Sequence, residues 1–333
     1  MNASSLLNTL AVTAAGAVLF VTQNACAQAG SDYPNRPIRW IVPSPAGAPV
    51  DALARKVAEG VGIKLGVPII VENKPGANGS IGAAEVARAA PDGYTLMFSI
   101  PDPLIAAMVT VKGIAYDATK DFKLIAKVTN NPPLLVVGAS EPSRNLKELV
   151  AATQKQGGNL PYGSWGPGSA PQVIVESLAR EAGVRFREIP YRGSPPAMQD
   201  MMGGQIAVTI TAPMVAKPLI AAGRIRGIAI AGTKRSPLLP DVPTFAESGF
   251  SSPIFMNGIW TGLTGPAALP QPVADKLLSA VQSAMREPRM IQGMTDYGAE
   301  ISVKNSEDFT KELRTEYSAV TKLLKDELKV VPD

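Results

Sequence analysis

Residues 38–65 read IRWIVPSPAGAPVDALARKVAEGVGIKL, and three kinds of sequence follow one another in them. Ile38 to Val42 is a compact apolar run ended by Pro43. From Val50 to Leu65, Leu53, Val57, Val61 and Leu65 recur at helical spacing. Between them lies a short loop of proline, glycine and small residues, so the segment reads as strand, tight loop and helix. The same order returns at Ile69 to Glu72, before a helix around Gly79 to Ala89, and at Thr95 to Ser99, before a proline-rich loop. Further on come Leu134 to Val137, the helix Leu146 to Lys155, and apolar runs at Phe186 to Ile189, Ile206 to Thr211 and Ile225 to Ala231. Alternation of this kind implies the α/β class, with parallel or mixed sheets flanked by helices on both faces.

The chain has 333 residues, 46% of them hydrophobic and 18% charged, enough apolar material for about two packed domains. TNNPP at 129–133 interrupts strand-like sequence on both sides, and a second break lies near Ser251 to Met256. The expected division is a discontinuous domain I, residues 30–128 and 256–333, around a continuous domain II, residues 129–255. Near the C-terminus, Asn305 or Ser306 can cap a closing helix whose face carries Phe309, Leu313, Tyr317, Val320, Leu324 and Leu328. That face reads as ordinary core packing.

Composition removes whole classes of chemistry. There is no histidine and a single cysteine, Cys26, so Ser-His and Cys-His nucleophiles, His-ligated metals, zinc knuckles and disulfides all drop out. No metal or cofactor is expected. The net charge of +4 arises from 32 basic and 28 acidic residues that are scattered along the chain, so no nucleic-acid partner is expected either. At the N-terminus, Leu6 to Val21 is uncharged and mostly apolar, and Ala25-Cys26-Ala27 and Ala27-Gln28-Ala29 both have the small-x-small form of a signal-peptidase site. Residues 1–29 therefore read as a secretory signal peptide, cleaved after Ala27 or Ala29, although Met1 to Asn8 lacks Lys and Arg. The apolar run is shorter than the roughly 20 residues that span a bilayer. Gln23 stands where a lipidated Cys26 would want an aliphatic residue. A periplasmic location follows.

Ligands of open α/β sheets bind at strand carboxyl ends. Three loops there combine glycine with small hydroxyl residues: Pro43 to Asp51, Tyr162 to Ser169, and Pro190 to Ser194. Glycine lets backbone N–H groups approach an anion, and a helix N-terminus favours negative charge, so the three loops together read as anion cradles. Any one of them alone is more simply a tight turn. Asp51 is expected to serve the free N–H groups of the first helical turn, and Pro49 suits a first helical position. Gly76 to Gly82 lacks the Gly-x-Gly start of a dinucleotide loop, and no nucleophile elbow, Walker loop or Ser-x-x-Lys motif is present.

Several longer stretches carry a family resemblance: YPNRPIRWIVPSPAGAPVD (33–51), VENKPGANGSIGAAEVARAAPDGYTL (71–96), YGSWGPGS (162–169), IPYRGSPPAMQDMMGGQI (189–206) and KRSPLLPDVPTFAESGF (234–250). In this order they resemble, over nearly the whole mature chain, the extracytoplasmic solute receptors of the tripartite tricarboxylate transporter, the Bug family. The resemblance implies a type II periplasmic binding protein fold: two lobes, two crossovers, and a cleft that shuts on a small organic acid, a mono- or dicarboxylate. The receptor would then pass its cargo to a two-part membrane permease, and it is expected to be a monomer and not an enzyme.

Carried over by position, Ser44, Pro45, Ala46 and Gly47 would meet one carboxylate through backbone groups and ordered water. Ser99 would line the floor of that lobe, and Ser164, Trp165, Gly166 and Ser169 would close from the other side, with Tyr191 and Arg192 nearby. Charge-assisted hydrogen bonds, dried by closure, would hold the ligand. Ala48 stands where the family often has a second glycine, and Gln172 where a histidine is common. Thr211 stands where an aspartate often occurs. An aspartate can pair with a ligand ammonium and threonine cannot, so a carboxylate without an amino group is expected. Trp165 replaces a small residue; its indole either stacks on an aromatic ligand or packs into the lobe. Arg192 either pairs with the ligand or lies solvated at the rim. Two other functions stay open at this point: a ligand sensor for a membrane signalling partner, and an enzyme on a small acid built from carboxylates, lysines or tyrosines alone.

Overall fold

A computed structural model describes residues 33–256, 258–327 and 329–330; the expected signal peptide, residues 1–29, lies outside them. The first lobe opens with β1 (Ile38–Val42), α1 (Pro49–Leu65), β2 (Ile69–Asn73), α2 (Ser80–Ala87), β3 (Thr95–Ser99), the short α3 (Ala107–Thr110) and β4 (Phe122–Asn131). Strand β1 is apolar except for Arg39, which pairs with Glu72 and Glu85; β2 and β3 flank the strand in parallel and helices cover both faces, which buries Ile38, Trp40, Ile41 and Val42. Leu53, Val57 and Val61 are the buried face of α1, and the helix stops at Gly66, which takes the left-handed φ of 73° that a C-terminal cap requires.

The chain then enters the second lobe: β5 (Leu134–Gly138), α4 (Leu146–Lys155), β6 (Pro161–Ser164), α5 (Ala170–Ala182), β7 (Arg187–Pro190), α6 (Ser194–Met202), β8 (Val208–Thr211), α7 (Pro213–Ala221) and β9 (Ile225–Ile230). It returns through β10 (Ile259–Pro266), α8 (Gln271–Met285), α9 (Pro288–Tyr297), β11 (Glu300–Lys304) and α10 (Ser306–Lys322). The strand orders are β11-β4-β10-β3-β1-β2 in a six-stranded sheet and β7-β6-β8-β5-β9 in a five-stranded one. Both sheets are mixed. In the first, β10 runs antiparallel between β3 and β4; in the second, β6 is parallel to β7 and β8 while β5 is antiparallel to β8 and β9.

The two crossovers lie side by side. Strands β4 and β10 pair from Phe122↔Pro266 to Asn131↔Ile259, so the strand that leaves the first lobe is zipped to the one that returns. Thr129 and Thr261 hydroxyls meet at 2.7 Å across this pair, and the Asn131 side-chain amide donates to the Ile259 carbonyl at 2.8 Å. β4 thus runs on through TNN, and in the outgoing crossover only Pro132-Pro133 lies between β4 and β5.

Each lobe has its own core on either side of its sheet. Trp40 stacks on Phe98 in the first, and Phe245 on Phe255 in the second. Asn305 caps α10 by accepting from the Asp308 N–H at 2.9 Å, and the buried Phe309 and Leu313 fasten the helix to the first lobe. Gly262 makes room for the Phe309 ring, where a Cβ would stand 2.6 Å from it. Beyond α10, Leu324 is fully buried between Ala106 and Val109 of the first lobe and Val173 of the second. Among the described residues no helix is long and apolar enough to cross a membrane.

Candidate ligand-binding cleft

A cleft of about 940 Å³ separates the lobes at the carboxyl ends of their strands. The first lobe lines it with the loop after β1, residues Pro75–Gly79, the turn after β3 and the hinge. The second lines it with the loops after β6, β7 and β8. Ten prolines among the lining residues restrict backbone φ, which preforms the walls. Only Asp102 and Arg192 are charged.

The lobes meet across both sides of this space. Asn78 donates through its amide to the Pro167 carbonyl and, at 2.7 Å, to the Thr110 hydroxyl. Gly193 abuts Pro45 so closely that a Cβ would stand 3.0 Å from the ring, and Gly298 abuts Pro213 at 3.1 Å in the same sense. Lys234 pairs with Glu300 at 3.3 Å. The arrangement is closed.

Each of the three glycine-containing loops is held in part by acceptors of its own lobe, which occupy several of its backbone N–H groups. In the first, the Gly47 N–H donates to Asp51 at 2.9 Å and the Ala48 N–H to the Pro45 carbonyl at 3.2 Å. Asp51 also accepts from Asn73 and Arg55, each at 3.0 Å. Burial opposes ionisation of Asp51, but the bonds from Gly47, Asn73 and Arg55 outweigh it and hold the carboxyl below its ordinary range. In the second loop, the N–H groups of Trp165, Gly166 and Gly168 donate to Ser169 at 3.1 Å, Ser164 at 3.2 Å and Gln172 at 2.5 Å. Behind them, Glu188 accepts from Ser164 at 2.5 Å and Gln172 at 2.7 Å. In the third, the Tyr191 N–H donates to the Ser164 carbonyl at 2.9 Å and its hydroxyl to Asp200 at 2.8 Å. Burial, then the Asp200 bond and charge, push that phenol up to about 12.

Of the residues singled out in the sequence, Ser44, Pro45, Trp165, Gly166, Tyr191, Arg192 and Thr211 come together on the cleft wall. Ala46 and Gly47 are exposed at the apex of their turn and do not line it. Ser164 and Ser169 are fully buried behind the second loop, where their oxygens hold its backbone. Ser99 is also fully buried, beneath the wall and with its hydroxyl unpartnered. Arg192 is exposed.

Three polar atoms of wall residues are buried without a partner: Trp165 Nε1, Thr211 Oγ1 and Tyr297 OH. Trp165 thus belongs to the wall as well as to its own loop. Tyr297, the last residue of α9, escapes a sequence reading because a tyrosine before a helix-ending glycine looks like core. Burial, and then the Asp51 charge, push its hydroxyl up to about 12. Asp102, just after the end of β3, lines the cleft as well, although the proline-rich loop around it lacks the glycine and hydroxyl pattern of the other strand-end loops. Among the described residues no cluster of His, Cys, Asp or Glu could hold a metal ion.

Two α/β lobes, a paired-strand hinge and a shut cleft between them define a two-lobed periplasmic binding protein. The sequence model of the tripartite tricarboxylate transporter family receptor matches residues 53–328. A UPF0065 protein of Bordetella bronchiseptica is 34% identical over 309 residues, which is 92% of this chain and 90% of that protein. The solved structure of periplasmic binding protein BugD is 32% identical with a TM-score of 0.83, over 90% of this chain and 100% of that one. MatC from Rhodopseudomonas palustris, solved with bound malate, is 31% identical with a TM-score of 0.80, over 88% of this chain and 100% of that one. The chain belongs to the tripartite tricarboxylate transporter receptor family, the Bug proteins.

Proposed function

We propose that this protein is secreted through its N-terminal signal peptide, captures a small organic carboxylate in the interlobe cleft as a monomer, and delivers it to a two-part membrane permease. The observation that carries this reading is the trio of buried, unpartnered groups Trp165 Nε1, Thr211 Oγ1 and Tyr297 OH on an otherwise largely apolar wall. Left dry, each costs about 1–3 kcal/mol, and a ligand that supplies acceptor oxygens recovers it. A carboxylate supplies several, and the apolar wall takes the body of the molecule. Thr211 brings a hydroxyl and no charge, which supports an acid without an amino group; the Trp165 ring offers a face to an aromatic one. Malate bound to the relative MatC supports the same class.

Asp102 favours a second reading, in which an ionised carboxylate on the wall pairs with the ammonium of an amino acid. A thermal-shift and calorimetric panel of malate, adipate, benzoate and glutamate separates the two. Binding of the acids without an amino group supports the first; stabilisation by glutamate alone replaces it with the second.

A further inference from the structure

Asp102 is the one negative charge on a wall that, in the function proposed above, receives an anion. It lies between Pro101 and Pro103, where the chain turns from β3 towards α3, and is partly open to the cleft. Among the described residues it has no ion pair and no side-chain hydrogen-bond partner. Its own N–H is the one donor acting on it, and the charged group facing it is Glu316 of α10. Arg192, the single cation on the wall, is exposed on the other lobe.

Glu316 is better provided for. It accepts from the Trp260 indole at 2.7 Å and is favoured in its ionised form by Lys127 of β4, with Glu312 of α10 opposing. Burial pushes both carboxyls up, each to about 7, and Glu316 adds its repulsion to Asp102. Of the two carboxyls only Asp102 lines the cleft, so it is the one whose proton a bound carboxylate can meet.

We propose that Asp102 is a proton site coupled to ligand capture. A carboxylate enters the cleft together with one proton drawn from solvent, and the protonated Asp102 donates a hydrogen bond to it in place of repelling it. This rests on the carboxylate reading of the cleft. Binding and protonation are then linked: each raises the affinity for the other.

The test is calorimetric titration of the full chain with malate, adipate, benzoate and glutamate, in phosphate and in Tris, whose ionisation heats differ. At about pH 8, where free Asp102 is mostly ionised, the heat of a bound acid should differ between buffers by close to one proton taken up. Its Kd should rise towards tenfold per pH unit above about pH 8, and uptake should fade below about pH 6. Asp102→Asn should bind with buffer-independent heat and a flat pH profile. Glu316→Gln should keep the uptake but move it to lower pH. Equal heats in the two buffers for an acid that binds overturn the inference and leave the receptor reading standing. So does uptake that persists in folded Asp102→Asn, whereas binding of glutamate alone without uptake overturns the inference together with the reading of an acid without an amino group. If Asp102→Asn does not fold, the wild-type comparison between buffers decides. If no carboxylate binds, the receptor reading itself falls, and the inference with it.

Discussion

The Ser164 hydroxyl donates to Glu188 at 2.5 Å while its oxygen accepts the Gly166 N–H at 3.2 Å, so a carboxylate on β7 holds the backbone of the loop that closes over the cleft. Through Gln172 the same carboxylate also holds the Gly168 N–H. This wall is organised from behind, by residues a ligand does not reach.

Glu188→Ala should therefore act on both stability and binding. Loss of two charge-assisted hydrogen bonds should cost about 2–4 kcal/mol in urea unfolding. Affinity for whichever acid binds should fall as Trp165 loses its fixed position. Unchanged affinity would show that the loop keeps its shape without this anchor.

The unpartnered donors predict the opposite pattern. Thr211→Val and Tyr297→Phe each remove a buried group that lacks a partner in the ligand-free protein. The melting temperature without ligand should hold or rise, while Kd rises about 5- to 30-fold. A melting temperature that falls with Kd unmoved would give these hydroxyls a purely structural role.

Trp165 separates ligand shapes. Trp165→Ala should weaken an aromatic acid such as benzoate by about 1–3 kcal/mol and affect linear adipate less. Equal losses for both would place the ring's value in loop packing.

Leu324 tests closure. Its side chain fills the space between Ala106, Val109 and Val173, and Gly168 passes so near that a Cβ there would stand 3.1 Å from it. Leu324→Ala should cost about 2–4 kcal/mol of stability and shift the ligand-free protein towards an open form. Small-angle scattering should then show a larger radius of gyration that ligand reverses.

Asp51 gives a pH signature. Its folded-state pKa is depressed, so its stabilisation is present above the unfolded value of about 3.9 and is lost as pH falls through the folded one. Asp51→Asn should be destabilised by about 1–3 kcal/mol near neutrality, and the gap to the wild type should narrow below about pH 4. Urea melts at the two pH values measure this.

Much of the fold was legible because its signals are local. The apolar run Ile38–Val42, the helical spacing of Leu53, Val57 and Val61, and the Asn305 cap each report on a few neighbouring residues. Strand β10 was not legible. Its sequence, IWTGLTGP, is thin in apolar side chains, and it becomes a central strand because β3 and β4 pair with it on either side.

The site divides along the same line. From residue order alone come the strand-end loops, the neutral Thr211, the absence of histidine chemistry and the family pattern. Folding alone decided which loop amides are free. Ser169, Gln172 and Asp51 stand close in sequence to the N–H groups they occupy, but Glu188 arrives from another strand, and no periodicity tells a used donor from an unused one. Folding alone also brought Tyr297 and Asp102 to the cleft and set Glu316 against Asp102, because burial and charge proximity belong to the assembled surroundings and not to the residue.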